Sequence, residues 1–275
     1  MDEHRLQRRA ASSERFCDHD AHAPQYDAIS HDYASVAAMD PQKQHVQYPS
    51  AISLLKSSCD HDARDNFSGR RFLDVGCGPG TLTRILTQLG ASVVGYDNSA
   101  EQISLALDAE ATAPLGISYH IATPGTIEAV LSSAGVTGHF DSAVAALVLM
   151  YAADTDELTR FFSSTLGLLR EGGALVGVIC DPDYGRIGHA AYNRVFEREG
   201  NLVRVDFLDD NQQVLTSARF TDFSRADYEQ AAARAGFHSL EWQTLRVTQA
   251  GRDAMGDAYW RGYEADCPYV GLVAR

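Results

Sequence analysis

The stretch Arg71-Phe-Leu-Asp-Val-Gly-Cys-Gly-Pro-Gly80 decides the fold of this chain. An apolar run that carries Asp74 breaks into glycines at every second position, and an amphipathic helical pattern follows directly. The pattern predicts a strand over 71–76, a tight glycine turn, and a helix over 81–89. Glycine permits positive φ and a close approach of a ligand to the main chain, and the free N–H groups of the helix start favour a nucleotide-like ligand.

The same alternation of strand and helix continues to residue 179. Further strands are predicted over 92–97, 117–122, 140–147 and 174–179. Ser99 opens a capping box with Gln102, a helical stretch lies near 125–134, and a later helix starts at Asp154 and ends at Gly172-Gly173. Five strands separated by helices predict an α/β fold, a parallel sheet with its ligand at the carboxyl ends of the strands.

The period breaks after residue 179. We interpret residues 180–222 as an insertion over the strand ends, with a helix over 188–199 and a hairpin of 203–207 with 214–220. Ser224 and Asp227 cap a helix that ends at Gly236, and strands near 239–248 and 269–275 close the chain. The domains predicted from these patterns are a disordered or loosely docked tail (1–23), an N-terminal helical lid (24–68) and a main domain (69–275).

The charge balance narrows the classes of partner. Lys+Arg total 23 against Asp+Glu 37, a formal net charge of -14, which disfavours nucleic acid and anionic membranes. No apolar stretch reaches the length of a membrane span, and residues 1–24 lack the apolar core of a signal peptide. We therefore predict a cytoplasmic protein that binds neither nucleic acid nor membrane.

Cysteine usage indicates neither a disulfide framework nor a metal centre. The five cysteines are scattered, although Cys17-Asp-His-Asp-Ala21 recurs as Cys59-Asp-His-Asp-Ala63. The spacing within each copy is tighter than that of usual zinc ligand pairs, and both copies lie in polar sequence. We predict no metal site.

Asp97 is the second acid of the site, at the tip of the second predicted strand and 21 residues beyond Gly76. A carboxylate there can accept both hydroxyl hydrogens of a ribose. Nicotinamide or flavin dinucleotides and S-adenosylmethionine both carry that ribose. Dinucleotide-binding enzymes carry the motif G-x-G-x-x-G, whereas in this chain the glycines after Asp74 occupy every second position, 76, 78 and 80. A dinucleotide-dependent oxidoreductase is therefore the weaker alternative.

Four segments in order resemble the motifs of class I S-adenosylmethionine-dependent methyltransferases. They are Asp74 to Gly80, Val94 to Asn98, Phe140 to Met150 and Leu169 to Leu175. The resemblance covers roughly 24–275 and implies a Rossmann-like, seven-stranded sheet whose last strand, about 269–275, is antiparallel. Tyr26 to Tyr33 and Pro268 to Leu272 are similar to bacterial small-molecule methyltransferases of secondary metabolism, of the toxoflavin-pathway N-methyltransferase type.

The resemblance also implies roles for single residues. The backbone of Gly76 to Gly80 would face the methionine part of the cofactor, Asp74 its amino group, and Asp97 its ribose hydroxyls. Many relatives place an acid for the adenine where this chain has Thr123. The cofactor residues so implied are Tyr26, Tyr33, Asp74, Gly76, Cys77, Gly78, Gly80, Asp97, Asn98, Thr123, Ala146 and Leu147.

We expect the methyl acceptor to bind between the lid and the loops that follow the strands. Candidate catalytic residues are His31, Tyr151 and His189; candidate substrate-binding residues are Tyr48, Tyr151, Asp181, Tyr184 and His189. A general base is needed only if the nucleophile arrives protonated with a high pKa. The expected reaction is N- or O-methylation of a small secondary metabolite, with C-methylation of a terpenoid or indole as a further option. A non-catalytic binding module is the remaining alternative, and the N-terminal helices are a candidate surface for homo-oligomerisation.

Overall fold

A mixed seven-stranded sheet forms the centre of the computed structural model, which describes residues 40–59, 66–185, 192–209 and 211–275. Its strands are β1 (Arg71–Val75), β2 (Ser92–Asp97), β3 (Ser118–Ile121), β4 (Phe140–Ala146), β5 (Leu169–Cys180), β9 (Leu240–Thr244) and β10 (Tyr269–Ala274). The insertion between β5 and β9 holds β6 (Arg194–Glu199), β7 (Leu202–Leu208) and β8 (Val214–Thr221). The order is β3-β2-β1-β4-β5-β10-β9. Strands β1 to β5 are parallel, and β10 is antiparallel to both of its neighbours. The predicted class I methyltransferase fold is confirmed.

Helices cover the sheet. They are α1 (Tyr48–Ser58), α2 (Thr81–Gln88), α3 (Ala100–Thr112), α4 (Ile127–Ser133), α5 (Thr155–Leu168), α6 (Arg225–Ala235) and α7 (Gln249–Met255), with a π-helical turn at Lys43–Gln47 and a 3₁₀ turn at Leu149–Tyr151. The predicted capping box of α6 is present, because Ser224 and Asp227 exchange hydrogen bonds. Within the described ranges, no helix has both the length and the apolar character needed to cross a membrane.

The N-terminal segment that the structure describes is packed into the fold. Pro49 lies in the first turn of α1, where its missing N–H costs no hydrogen bond. Ala51 and Leu55 are fully buried, and α1 packs on β4, β5 and β10. Residues 40–58 therefore cover the sheet directly; residues 1–39, which include the predicted tail and the start of the lid, lie outside the described part of the chain.

The insertion after β5 contains a three-stranded antiparallel sheet of β6 (Arg194–Glu199), β7 (Leu202–Leu208) and β8 (Val214–Thr221). The predicted hairpin is confirmed as β7 and β8. The predicted helix over 188–199 is wrong for its second half. Residues 194–199 pair along their whole length with β7, and this ladder satisfies their backbone groups, so long-range pairing outweighs local helical spacing.

A second correction concerns the end of α5. The helix stops at Leu168, and β5 already starts at Leu169, so the predicted stop at Gly172-Gly173 lies inside the strand. Gly172 has φ of 74° and a Cβ on Gly173 would lie 2.9 Å from the carbonyl oxygen of Arg170. The glycines serve an irregular strand start, with a register shift against β4, rather than a helix end.

Candidate functional site

The turn between β1 and α2 has the backbone that the glycines predict. Gly76, Gly78 and Gly80 have φ of 65°, 53° and 79°. A Cβ on Gly76 would lie 2.6 Å from the Cβ of Val148, and one on Gly80 would lie 2.8 Å from Cζ of Tyr119. Only glycine fits at these two positions, because both the conformation and the space exclude a side chain.

Asp97 is hydrogen-bonded to this turn and to the residue that caps α3. Its Oδ2 accepts a hydrogen bond from the N–H of Gly78 at 2.9 Å, and its Oδ1 accepts one from the N–H of Ser99 at 2.9 Å. Two backbone donors on separate elements therefore fix the orientation of the carboxylate. The glycine turn and the end of β2 form one unit with Asp97 at its open side.

Asp74 lies deeper, with only 2% of its surface exposed. The hydroxyl of Thr83 donates to its Oδ2 at 2.6 Å. Burial raises the pKa of Asp74 to about 7; the Thr83 hydrogen bond lowers it and the charge of Asp97 adds to the rise. Asp74 is thus poised to exchange a proton or to gain a cationic partner near neutral pH.

Gln102 is a polar residue whose role the sequence did not reveal. The Ser99 hydroxyl accepts its N–H at 3.2 Å, as predicted, but the return half of the capping box is absent. The Gln102 side chain is 2% exposed, and neither its amide oxygen nor its amide nitrogen has a hydrogen-bond partner. A buried amide without partners costs free energy unless a ligand supplies them.

These groups border one cavity of about 300 Å³ at the carboxyl ends of the parallel strands. The predicted cofactor residues that line it are Asp74, Gly76, Cys77, Gly78, Asp97, Asn98, Thr123, Ala146 and Leu147. Gly80 is not part of the lining and instead starts α2. Tyr26, His31, Tyr33 and His189 lie outside the described residues. The topology therefore gathers loops from four strands around a single space.

Leu147 forms a strained wall of this cavity. Its φ is 60°, an uncommon value for a leucine, and its N–H donates to the carbonyl of Val178 at 2.7 Å. Thr123 faces the cavity from the loop after β3, where its carbonyl accepts from the N–H groups of Thr126 and Ile127. Backbone outliers such as Leu147 occur often at ligand sites, because the surrounding structure must hold them.

The acceptor candidates divide between two places. Tyr48 and Tyr151 line the main cavity. Asp181 and Tyr184 line another cavity of about 20 Å³, where Asp181 pairs with Arg225 at 2.9 Å and the ring of Tyr184 packs 5.5 Å from that of Phe196. Of the acceptor candidates that the structure describes, the two tyrosines lie with the predicted cofactor residues.

Several lining residues were not predicted from the sequence. They are Lys43, Pro79, Thr81, Leu82, Tyr96, Gln102, Ala122, Pro124, Val148, Glu157 and Phe161. In the sequence, Gln102 and Glu157 show only the spacing of helix-capping residues. Lys43 is distinguished in the sequence only by the scarcity of lysine in this chain. Among the residues with described positions, no cluster of three or more His, Cys, Asp or Glu side chains could hold a metal ion.

Residues 73–177 match the family described as Methyltransferase domain. Among curated proteins, the chain is 36% identical over 126 residues to a mitochondrial ubiquinone biosynthesis O-methyltransferase from Rattus norvegicus. That match covers 45% of this chain and 34% of the rat protein. The chain thus spans about a third of this relative's length.

Solved structures resemble nearly the whole chain. An amino pentose methyltransferase from Micromonospora echinaspora superimposes with a TM-score of 0.60 at 16% identity, covering 94% of this chain and 100% of that one. A sugar N-methyltransferase from Streptoalloteichus gives 0.57 at 20% identity, covering 94% and 96%. At these identities the likeness concerns the fold. Residues 73–177 therefore match a methyltransferase domain, within a fold that these methyltransferase structures share.

Proposed function

We propose that this chain transfers a methyl group from S-adenosylmethionine to a small-molecule acceptor. The observation that carries the proposal is the pair of acids beside the glycine turn, Asp74 in β1 and Asp97 at the end of β2, which line one cavity. The domain match over 73–177 supports methyl transfer over the oxidoreductase alternative.

The residues of the cavity fit this cofactor. Its amino-acid end carries an ammonium group, and Asp74 is a buried carboxyl that such a cation would keep ionised. Asp97 presents a carboxylate of fixed orientation, which suits two adjacent ribose hydroxyls. The side-chain amide of Gln102 lacks partners in the described structure, and a polar ligand would supply them.

The cofactor supplies an electrophilic methyl group on a sulfonium ion. The protein's own work is then to hold the acceptor in line and to exclude water. We assign the donor side to the glycine turn, Asp74 and Asp97, and the acceptor side to Tyr48 and Tyr151. The aromatic faces of these tyrosines suit a cationic centre beside them.

The names of similar proteins indicate which acceptor atom to test first. The rat relative's name states an O-methyltransferase, and the two structural neighbours are described as a sugar N-methyltransferase and an amino pentose methyltransferase, so nitrogen and oxygen are the first candidates. Further predictions concern the acceptor, the flanking segments and the protein as a whole. They are a secondary-metabolite acceptor, C-methylation of a terpenoid or indole, a lid role for 24–68, a covering role for 180–222, a cytoplasmic location and homo-oligomerisation.

Calorimetric titration with S-adenosylhomocysteine and with NAD tests the donor half of the proposal. Asp97→Ala should weaken S-adenosylhomocysteine binding roughly tenfold to a hundredfold, since hydrogen bonds to a charged group contribute about 1.5–3 kcal/mol. Asp108→Ala, on the exposed face of α3, is the matched control and should bind normally. Tight binding of NAD without binding of S-adenosylhomocysteine would overturn the proposal.

Transfer of a labelled methyl group to a panel of phenols, amines and amino sugars tests the acceptor half. Product that depends on Asp97 supports an enzyme. Cofactor binding at normal affinity together with no transfer to any member would favour the binding module, in which the fold keeps its ligand without turnover.

A further inference from the structure

Lys43 is an unusual residue of this chain. The sequence has only two lysines, Lys43 and Lys56. Lys56 is exposed on α1, whereas Lys43 is 6% exposed and starts the π-helical turn Lys43–Gln47. Lysine is almost never fully buried unless its charge is paired, and short π-helical segments are frequent at functional sites.

Lys43 lies where two cavities meet. The main cavity shares Lys43, Leu147 and Tyr151 with a second space beneath the inserted sheet, which we call the acceptor chamber. The other residues that line the acceptor chamber are Met150, Cys180, Arg194, Phe196, Val205, Phe207, Phe220 and Tyr269. The chamber is therefore apolar and aromatic, apart from its two basic side chains and a few polar tips.

The signs of charge differ between the two spaces. The main cavity has acids from three elements, Asp74, Asp97 and Glu157. The charged side chains that line the acceptor chamber are Lys43 and Arg194, both basic, among the residues that the structure describes. Arg194 forms a buried ion pair with Asp40. In a protein of net charge -14, the acids of the main cavity suit a cationic donor, and Lys43, which lines both spaces, suits an anionic oxygen at their boundary.

We propose that Lys43 is a positioning residue that holds the ionised oxygen of an acidic hydroxyl on the acceptor, a phenol or an enol. This inference rests on the proposed methyltransferase function. The ammonium group lowers the pKa of the bound hydroxyl, whose proton leaves to solvent on binding. The oxygen keeps the electron pair that it shares with the incoming methyl carbon, so no separate general base is required.

The size of the acceptor chamber limits the acceptor further. Its volume is about 20 Å³, enough for roughly one water-sized group. The ring of the acceptor therefore belongs in the main cavity, which Tyr48 and Tyr151 line, with its ionised oxygen at Lys43 and only a small substituent in the chamber. A long prenyl chain does not fit there in this structure.

Other titratable groups line the two cavities that Lys43 borders and enter its electrostatics. On the chamber side they are Arg194 with its partner Asp40, Tyr151, Cys180 and Tyr269; on the cofactor side they are Tyr48, Asp74, Cys77, Tyr96, Asp97 and Glu157. Burial raises the pKa values of Cys77, Tyr96, Cys180 and Tyr269, so all four stay neutral near pH 7.

The test uses 4-nitrophenol, whose phenolate absorbs visible light, on full-length protein saturated with S-adenosylhomocysteine. Wild type should bind the phenolate and lower its pKa relative to free 4-nitrophenol. Lys43→Met should abolish that shift, Lys43→Arg should restore most of it, and the control Lys56→Met should leave it unchanged. Nitrobenzene, which has no hydroxyl, should bind equally to all four proteins.

The binding results distinguish the role of Lys43 from the proposed methyltransferase function. An unshifted pKa in wild type, no binding of 4-nitrophenol, or an equal shift in Lys43→Met overturns the inference, even where S-adenosylhomocysteine binds tightly. Loss of S-adenosylhomocysteine binding by wild type would instead overturn the proposed function. If Lys43→Met does not fold, the wild-type shift and its dependence on Lys43→Arg still decide, because a packing role for Lys43 would not move the titration of the bound phenol.

Discussion

Asp74 shows how a single residue depends on its surroundings. Its carboxyl is removed from water between β1 and α2, with Thr83 as hydrogen-bond donor. Desolvation outweighs this hydrogen bond, so the folded protein holds a proton there up to about pH 7. An unfolded aspartate loses its proton at roughly pH 4. Folding and protonation of Asp74 are therefore linked.

The linkage predicts a pH dependence of stability. Between about pH 4 and pH 7 the folded state binds more protons than the unfolded state, so the free energy of unfolding falls as pH rises through this window. Asp74→Asn keeps an oxygen that can accept from Thr83 but does not titrate, so its stability should fall less over the same range.

Urea unfolding at closely spaced pH values measures the difference. Asp108→Asn, at an exposed position on α3, should follow wild type. Equal slopes for Asp74→Asn and wild type would show that Asp74 is ionised in the folded protein throughout the range.

At the scale of elements, the β1–α2 turn and the loop after β4 depend on each other. Gly76 leaves the space that the side chain of Val148 fills, and Leu147 beside it takes a left-handed backbone. The two connections therefore pack as one wall of the main cavity. A change in either should alter both.

Gly76→Ala tests this packing. It should lower the free energy of unfolding by about 2–5 kcal/mol, because a left-handed backbone costs an L-residue about 1–2 kcal/mol and overpacking adds about 1–3. The control Gly116→Ala has φ of 81° and nothing within 4 Å of the new Cβ, so it carries the conformational cost alone.

Val148→Ala in the Gly76→Ala background should recover part of the loss, since it removes the methyl groups that the new Cβ meets. Thermal and urea unfolding of the four proteins would measure these effects. A loss in Gly76→Ala no larger than that in Gly116→Ala would contradict the packing explanation.

At the scale of the whole molecule, a buried polar cluster joins distant parts of the chain. Asp40 and Arg194 form an ion pair with both side chains 5% exposed, although 154 residues separate them. Gln42 donates to the carbonyl of Tyr192 at 3.2 Å and accepts from the hydroxyl of Tyr263 at 3.1 Å. The N-terminal segment, the inserted sheet and the segment before β10 therefore meet at one point.

A double-mutant cycle tests the ion pair. Asp40→Ala should cost about 3–5 kcal/mol of stability, because Arg194 is left buried without its partner. Arg194→Met added to it should recover a large share, since no buried charge then remains. Urea unfolding of the two single variants and the double variant gives the coupling energy, and strictly additive losses would argue against the pairing.

Sequence reasoning was most successful where structure is local. Short-range patterns predict the strands and the glycine turn of the first half, the α6 cap, and the positions of Asp74 and Asp97 in β1 and β2. It failed for 194–199, which form a strand only because β7 lies beside them, and for Gly172-Gly173, whose place in β5 depends on the neighbouring β4. Pairing between strands distant in sequence has no local signature.

The sequence by itself determined the architecture and the donor side, because glycine conformation, hydrophobic period and an acid at a strand end act within a few residues of each other. The tertiary structure decided which residues meet on the proposed acceptor side. Lys43 lies in the π-helical turn, Tyr151 in the 3₁₀ turn after β4 and Arg194 at the start of β6, and they line one space only because these elements pack together. In the proposed function, the glycine turn holds the methyl donor, and Lys43, where the two cavities meet, holds the acceptor.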